Sequence, residues 1–494
     1  MNTTTDIAGL ARLAAAGRAF VAMTTVAKAS IAKGCTAIAA AAILVVGAPA
    51  ARAAETTDWK AGTARANITP PEYMWMSGYA SRDRPADGKL TDLWAKTLLL
   101  EDPQGSRALI VTLDLVGIDR GMSNQIRDAL EAQLGLDRSR VALCCSHTHT
   151  GPVVGRNLRA MYNFDERQER QVRDYTAWVE SQVLAAAREA LSAVEPCRLT
   201  WAVGRATFAV NRRNNPEPQV SDLRAAGQLR GPVDHDVPVL AVRDPSGALR
   251  SIVMGYACHA TVLSSFQWSG DYPGFAQVAL EERYPGVRAL FFAGCGADQN
   301  PLPRREVEHA QEYGRQLAAA VEAALAGVQH EVTGSLATAY REIDLPFDKL
   351  PERSELELQA TSDNRYVASR ARRLLEQLDA GEPLSPTYPY PVVAWRLGDE
   401  LTWIALGGEV VVDYALRLKR ELGASQTWVA GYVNDVMAYI PSRRVLEEGG
   451  YEGGGAMVYY GLPTVWAPQV EERIVATVQE LVASLGESSA TASE

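Results

Sequence analysis

The chain has 494 residues, of which 47% are hydrophobic and 22% are charged, and its formal net charge is −10. This composition is typical of a globular protein with a large core, arranged as one big domain or as two or three smaller ones. Nucleic-acid binding needs a clustered basic surface, and the body of this acidic chain has no block of Lys and Arg, which argues against such a partner.

The first 53 residues have the pattern of a secretory signal peptide. Basic residues precede the apolar stretch GCTAIAAAAILVVGA, and the small-residue sequence Ala-Arg-Ala follows it at 51–53. Because the apolar stretch is too short to span a bilayer, a cleaved signal is favoured over an uncleaved membrane anchor. Cleavage would remove five basic residues and one acidic residue, which changes the net charge from −10 to −14. The sequence therefore predicts an acidic protein that is secreted or periplasmic.

Segments of strand length alternate with segments of helical periodicity along the rest of the chain. Strands are predicted for TDLWAKTLLLED, SRALIVTLDLVG, RVALCC, 197–210, 238–243, 251–257, 288–294, LTWIAL and TWVAGYV, and helices for MSNQIRDALEAQLG, 170–193, 273–284, 305–327, 353–380, 411–422 and 468–485. This alternation predicts an α/β fold in which a layered sheet is flanked by helices. The polar helical segment 353–380 interrupts the alternation and is interpreted as a lid or insertion. The tail 487–494 is predicted to be disordered.

Polar and chemically active residues follow five of the predicted strands directly. These strand exits read SHTHTGP, YACHATVL, AGCGADQNP, LGGEVVVDY and GYVNDVMAY. In layered α/β proteins the loops that leave the strand ends form the binding and catalytic sites. The five exits are therefore the predicted parts of one functional site.

The strand exit that begins at residue 146 contains two of the six histidines in the chain, His147 and His149. Residues two apart in an extended segment project to the same side, so both imidazoles could face one cavity and bind zinc. The alternative is that they are hydrogen-bonded polar residues that cap a strand end. His259 lies in the apolar segment MGYACHATVL, where its partner could be a metal, a carboxylate or a backbone carbonyl. Asp114, at the end of another buried strand, is either a hydrogen-bond partner for a ligand histidine or a simple helix or turn cap, and Asp271 has the same two interpretations.

Nine motifs, in register from about Ala64 to Ala483, resemble those of the neutral ceramidase family, zinc-dependent amidases that hydrolyse the N-acyl bond of ceramide. The motifs are ITPP with SGY, LIVTLDLVG, SHTHTGP, VNRRNNP, ACHA, SGDYPGFA, GCGADQNP, GGEVVVDY and NDVMAYIPSRRVLEEGGYEG. The resemblance implies a single ceramidase-like hydrolase domain over 57–486, with a mixed sheet flanked by helices. It also implies that the C-terminal β-sandwich domain of the family is missing.

The resemblance implies one Zn²⁺ per chain, bound by His147, His259, Glu409 and Tyr439. Two imidazoles, a carboxylate and a phenol oxygen would leave the ion room for water or a substrate oxygen, as a catalytic zinc site requires. The family uses only the first histidine of the His-Thr-His motif as a ligand, so His149 is assigned to oxyanion stabilisation or proton transfer.

The resemblance also assigns substrate contacts to Arg212, in NRRNNP, and to Tyr451, in GGYEGG. One departure from the family concerns its active-site serine, which lies in a Gly-Asp-Val-Ser-Pro-Asn motif. The chain has Gly-Ala-Asp-Gln-Asn-Pro at 296–301, without a serine. Gln299 or Asn300 is the expected substitute donor to substrate or oxyanion.

The predicted function is that of an exported zinc-dependent amidohydrolase, in which zinc-activated water cleaves an N-acyl amide bond. Ceramide is the default substrate, and a lipid substrate implies transient contact with a membrane surface. Three alternatives remain open: a zinc hydrolase of the same fold that acts on a non-sphingolipid amide or ester, a noncatalytic metal-binding homologue, and a metallophosphatase. The phosphatase would use the carboxylates of Asp114, Asp271 and Asp298 together with the histidines.

Overall fold

The computed structural model describes residues 59–491, and it describes side chains as far as residue 486. The predicted signal peptide lies outside the described residues. The last helix extends to Thr491, so the first part of the predicted disordered tail is helical, and residues 492–494 lie outside the described part. Among the described helices, none has both the length and the apolar character needed to cross a bilayer.

The strands and helices of the described residues follow the predicted alternation. The strands are β1 Trp59–Asn67, β2 Gly88–Lys89, β3 Trp94–Glu101, β4 Arg107–Leu113, β5 Val141–Cys145, β6 Glu195–Arg205, β7 Ala209–Asn211, β8 Asp236–Arg243, β9 Leu249–Tyr256, β10 Gln267–Trp268, β11 Arg288–Ala293, β12 Gln299–Pro301, β13 His330–Glu331, β14 Leu336–Pro346, β15 Thr387–Leu397, β16 Leu401–Leu406, β17 Glu409–Val410, β18 Thr427–Ala430 and β19 Tyr439–Ile440. The helices are α1 Arg120–Leu134, α2 Glu166–Ser192, α3 Val220–Ala225, α4 Asp271–Arg283, α5 Val307–Ala326, α6 Arg353–Gln359, α7 Arg365–Asp379, α8 Val412–Leu422, α9 Arg443–Glu448, α10 Met457–Tyr460 and α11 Val470–Thr491.

Two main sheets form the centre of the fold. The larger is a nine-stranded mixed sheet of order β11-β9-β8-β6-β1-β3-β4-β5, with β13 also paired to β6. The smaller has the order β14-β15-β16-β18. Helices α2, α4 and α5 contact the large sheet, and α8 and α11 contact the small one. The layered α/β architecture predicted from the sequence is confirmed.

The near-continuous apolar runs of the central strands follow from burial on both faces of the large sheet. In β3, Leu99 belongs to the core between this sheet and its helices. Its neighbours Leu98 and Leu100 point to the opposite face and join a second core, which contains Trp395 and Trp403 of the small sheet. Because successive side chains of a strand alternate between faces, a strand between two apolar layers needs apolar residues at every position.

The segment 353–380 forms the two helices α6 and α7. The start of α7 contacts the loop that precedes β2, where Arg365 Nη2 donates to the carbonyl oxygen of Ala80 at 2.7 Å and the Tyr366 hydroxyl donates to the same oxygen. The insertion predicted from the sequence is therefore a helical pair attached to a loop of the main domain.

The five polar strand exits leave β5, β9, β11, β16 and β18, which belong to the two different sheets. Isolated bridges from Cys144 to Val433 and from Gly294 to Ala430 join the sheets at this end. The exits therefore come together where the two sheets meet.

Candidate metal centre

His147 lies two residues beyond β5, in a backbone conformation that residues other than glycine rarely adopt. Its φ is +60°, and its backbone N–H donates to the carbonyl of Leu115 at 3.0 Å. The ring Nδ1 lies 2.6 Å from the carbonyl oxygen of Val116. Since a carbonyl can only accept, Nδ1 carries the proton and Nε2 keeps its lone pair for the site.

His259 is held in the same way by the loop that follows β11. Its backbone N–H donates to the carbonyl of Gln299 at 2.9 Å, and its Nδ1 lies 2.9 Å from the carbonyl oxygen of Gly296. Both imidazoles are therefore oriented by backbone carbonyls. The expectation that Asp114 orients a ligand histidine is wrong, because its carboxylate accepts from the backbone N–H of Trp94 at 2.9 Å.

Glu409 and Tyr439 begin the two strands of a short parallel ladder. In this ladder of β17 and β19, the two residues are direct partners. The backbone N–H of Glu409 also donates to the carbonyl of Ala438 at 2.8 Å. Although 30 positions separate them in sequence, this register places both side chains at the same point beside the two histidines.

The four predicted ligands converge on one point. Glu409 Oε2 lies 3.1 Å from His147 Nε2 and 3.0 Å from His259 Nε2. The Tyr439 hydroxyl lies 3.2 Å from His259 Nε2. All four residues are at most 4% exposed, so the donor atoms are shielded from bulk water. Two nitrogen and two oxygen donors are a set that a transition metal such as zinc accepts.

One atom of this cluster has no hydrogen-bond partner, although it is fully buried. Oε2 of Glu409 forms no hydrogen bond despite its proximity to both histidines, whereas Oε1 accepts from the hydroxyl of Tyr460. Each of the two imidazoles has its Nδ1 on a backbone carbonyl and therefore presents Nε2 to this oxygen. A buried carboxylate oxygen that has no hydrogen bond and faces two imidazole nitrogens is the arrangement expected of a metal ligand.

His149 lies beside the four and belongs to the same cluster. Its Nε2 is 3.1 Å from His147 Nε2, and the potential ligand atoms of His147, His149 and His259 all lie within 4.8 Å of one another. These three histidines could hold a metal ion. The other ring nitrogen of His149, Nδ1, has no hydrogen-bond partner among the described residues and is packed against the backbone of Gly78.

Arg212 connects the cluster to its surroundings. Its Nη2 donates to the Tyr439 hydroxyl at 3.1 Å, its Nε to Glu452 Oε1 at 2.7 Å and its Nη1 to Asn300 Oδ1 at 3.3 Å. Burial lowers the pKa of this guanidinium, but Tyr439 and Glu452 outweigh it and raise the pKa well above its usual range. The Tyr439 hydroxyl, the predicted phenol ligand, is therefore hydrogen-bonded to the permanently charged Arg212.

The remaining predicted residues occupy different surroundings. Tyr451 is 45% exposed, and its ring lies 5.2 Å from that of Tyr439 and 5.6 Å from the Arg212 guanidinium, at the rim of the site. Gln299 is fully buried, and its amide donates to the carbonyl of Ala257 and accepts from the backbone N–H of Asp234. Both ends of the Gln299 amide are therefore held by the backbone.

Two aromatic residues of the site were not predicted from the sequence. Tyr460, in α10, donates its hydroxyl to Glu409, and the Tyr432 ring lies 4.4 Å from that of His147. Tyr432 falls within a strand exit already flagged as polar, so the pattern could have pointed to it. Tyr460 lies in MVYYGLP, which follows no strand and gave no signal.

A sequence model of the family "Neutral/alkaline non-lysosomal ceramidase, N-terminal" matches residues 59–346, which is more than half of the chain. The chain belongs to this family. Three of the residues considered above as ligands, His147, His149 and His259, lie inside the matched segment, and Glu409 and Tyr439 lie beyond it.

The chain is also similar to individual neutral ceramidases. It is 25% identical to that of Drosophila melanogaster over 258 residues, which are 49% of this chain and 35% of the fly protein. It is 33% identical to neutral ceramidase 2 of Arabidopsis thaliana over 94 residues, which are 18% of this chain and 12% of the plant protein. The similarity thus spans about a third of the fly ceramidase and less of the plant one.

Solved structures extend the similarity over most of this ceramidase-family chain. The neutral ceramidase of Pseudomonas aeruginosa matches with a TM-score of 0.68 and 21% identity, over 87% of this chain and 75% of that one. A structure described as a ceramidase complexed with C2 matches with a TM-score of 0.67 and 19% identity, over 87% of this chain and 76% of that one. These likenesses establish the ceramidase-like fold.

Proposed function

We propose that the protein is an exported zinc-dependent amidohydrolase that cleaves an N-acyl amide bond, with ceramide as the default substrate. The observation that carries this proposal is the convergence of His147, His259, Glu409 and Tyr439 on one buried point. Each histidine already has its Nδ1 fixed by a backbone carbonyl, and one carboxylate oxygen is unsatisfied. Zinc bound there would supply Lewis acidity and lower the pKa of a water molecule toward neutrality.

The residues around the four ligands have separate tasks in amide hydrolysis. The reaction adds the oxygen of water to the carbonyl carbon, breaks the C–N bond and delivers a proton to the leaving amine. His149, whose Nε2 lies 3.1 Å from His147 Nε2, accepts or delivers that proton. Arg212 fixes the Tyr439 hydroxyl, and the exposed ring of Tyr451 contacts substrate at the rim.

The loop that lacks the family serine affects the choice of substrate. Asn300, in that loop, accepts from Arg212 through Oδ1, and the Gln299 amide bonds to the backbone at both ends, so both side chains are held by contacts within the protein. The names of the similar proteins support a ceramide-type lipid amide, which would be taken up at a membrane surface. The altered loop favours a second candidate, a zinc hydrolase of the same fold that acts on a different amide or ester.

The deciding experiment is hydrolysis of a short fluorescent ceramide beside simple N-acyl amino acids, with metal analysis of the same sample. We expect one zinc per chain, amide cleavage, loss of turnover in chelator and recovery when zinc is added back. Turnover that persists in metal-free protein would contradict the proposal. Bound zinc without cleavage of any amide or ester would instead favour a noncatalytic metal-binding homologue.

A metallophosphatase has little support from the site. The carboxylates of Asp271 and Asp298 accept from backbone N–H groups, those of Leu263 and Val412 respectively, each at 2.8 Å. Like Asp114, they stabilise loops. Hydrolysis of nitrophenyl phosphate that survives Glu409→Ala would revive this alternative.

A further inference from the structure

A second cavity adjoins the metal centre, and its walls are rich in arginine. It has a volume of about 610 Å³ and lies between the loop that precedes β2 and the helical pair α6–α7. We call it the arginine cavity. Its charged lining residues are Arg82, Arg365, Arg372, Arg373, Asp83, Asp363 and Glu376, and its aromatic ones are Trp75, Tyr79, Tyr162, Phe164 and Tyr366.

The arginine cavity and the metal centre share one wall. The ring of Tyr79, which lines the cavity, lies 4.7 Å from that of His149. The preceding residue, Gly78, is so close to His149 that a Cβ atom there would lie 2.4 Å from the ring Nδ1. The wall between the cavity and the metal centre is therefore one aromatic ring thick at this point.

Arg82 is a buried cation without a counter-charge. It is 5% exposed, and its Nη1 and Nη2 donate to the carbonyls of Ser77 and Ser265 at 2.8 and 3.1 Å. Its Nε is buried without a partner, and the guanidinium forms no ion pair among the described residues. Burial lowers its pKa to about 10. Because an isolated buried charge is costly, such a group normally has an anion nearby.

Among the described residues, the other arginines of the cavity form no ion pair within 4 Å, although the Glu376 carboxylate acts on Arg373 electrostatically. Arg373 is half-buried, and its Nε has no partner. Arg365 and Arg372 donate to the backbone carbonyls of Ala80 and Ala360. Four arginines face three carboxylates in the lining, which leaves one positive charge in excess. Of these carboxylates, Asp83 pairs with Arg84, which is outside the lining.

The cavity beside Arg212 has the opposite character. It has a volume of about 510 Å³, and its arginines are neutralised within it. Glu452 binds Arg212 and Arg213 at 2.7 and 2.6 Å, and Glu217 binds Arg304 at 2.7 Å. Of these two cavities, therefore, only the arginine cavity has unbalanced positive charge.

We propose that the arginine cavity binds a carboxylate carried by the amide substrate, so that the preferred substrate is an anionic N-acyl amide; this inference rests on the proposed amidohydrolase function. A carboxylate complements the excess of positive charge, and the planar guanidinium of Arg373 matches its two oxygens. The aromatic walls bind the apolar part of the same molecule. Arg82, which lies over the rings of Tyr79 and Phe266 at 4.8 and 5.8 Å and has no carboxylate partner among the described residues, adds positive potential behind it.

The test compares amides that differ only in this charge. The first pair, N-acetyl-12-aminododecanoate and its terminal carboxamide, places the carboxylate on the amine half, an alkyl chain away from the amide. The second pair, the mono-butylamide of dodecanedioate and its terminal carboxamide, places it at the same distance on the acyl half. We expect the charged member of at least one pair to be cleaved with a kcat/KM roughly tenfold to hundredfold higher. In Arg373→Gln this preference should fall toward one, and in Arg420→Gln, an exposed site outside the cavity, it should persist.

Binding measured separately from turnover distinguishes this inference from the proposed function. The probes are the sulfonamide analogues of both pairs, which an amidase does not cleave, titrated calorimetrically into the wild type, Arg373→Gln and Arg82→Lys. If a charged probe binds more tightly than its neutral partner and both variants lose this difference, the result supports carboxylate binding in the arginine cavity. If no amide is cleaved in the same experiments, only the proposed amidohydrolase function is refuted. Equal binding of charged and neutral probes, or no effect of either variant, overturns the inference even if ceramide is hydrolysed.

Discussion

Glu409 and Tyr439 are direct partners in a two-residue parallel ladder, although one follows a strand of the small sheet and the other lies 30 positions further along the chain. Backbone pairing of β17 with β19 fixes the positions of both residues. Neither side chain therefore needs the other to hold it in place. A substitution at either position should therefore change the chemistry of the site without displacing its partner.

Glu409→Gln tests the carboxylate of the site. The amide is neutral and offers no anionic oxygen to a metal. We expect affinity for zinc to fall by more than the roughly 10–100-fold that loss of an outer hydrogen bond costs, and turnover to fall with it. Metal analysis after dialysis against a graded series of free zinc measures this. Glu447→Gln, on the exposed face of α9, is the matched control, and an unchanged zinc content in Glu409→Gln would refute the ligand assignment.

Tyr460→Phe removes the hydroxyl that donates to Glu409 Oε1. Outer hydrogen bonds orient metal-bound carboxylates, so zinc affinity should fall about 10–100-fold while saturating zinc restores most of the turnover. The adjacent Tyr459→Phe is the control, since the Tyr459 hydroxyl has no hydrogen-bond partner among the described residues. Identical zinc titrations for the two variants would show that Tyr460 has no effect on the site.

Arg212→Lys keeps the charge but replaces a three-way fork by a single ammonium. Lys cannot reach Tyr439, Glu452 and Asn300 together, so kcat should fall about tenfold or more, with a smaller change in KM. Arg213→Lys is the control, because Arg213 binds Glu452 but not the phenol. Steady-state kinetics on the best amide provide the readout, and equal effects of both variants would mean that the Arg212–Tyr439 contact does not matter.

Asp435→Asn tests a buried carboxyl outside the ligand set. Burial raises the pKa of Asp435 to about 7, and the hydrogen bond from Tyr388, at 2.7 Å, only partly offsets this. The folded-state pKa thus exceeds the unfolded value of about 4, so ionisation destabilises the fold progressively from pH 4 to 7 and fully above that range. The variant should be roughly 1–4 kcal/mol more stable than the wild type at pH 8 and less so at pH 5.

Urea denaturation at both pH values measures this difference in the free energy of unfolding. The exposed Asp399→Asn is the control and should leave it unchanged. A stability gain in Asp435→Asn that is the same at pH 5 and pH 8 would mean that Asp435 is not protonated in the folded state near pH 7.

Parts of the site follow from the sequence by physical reasoning alone. The strand exits that carry His147, His259 and Glu409 are predicted from the residues, because buried strands end in polar loops and strand length and periodicity can be seen in the sequence. The ligand set itself required the family resemblance, since the residues alone leave the histidines open to a capping role and the ladder that places Glu409 and Tyr439 is only two residues long. Tyr460 could not be predicted, because its contact depends on how α10 is positioned in three dimensions. The role of Asp114 was open in the sequence, because a strand-end carboxylate fits a loop-stabilising role as well as it fits a partner of histidine.

The donor atoms come from loops anchored on two separate sheets, from residue 147 to residue 439. Neither sheet alone holds all four proposed ligands, so tight zinc binding would require the interface between the two sheets to be formed. We therefore expect zinc to bind late, after the two sheets have folded and packed together. Under the proposed function, an exported chain would bind its zinc only after this interface has formed.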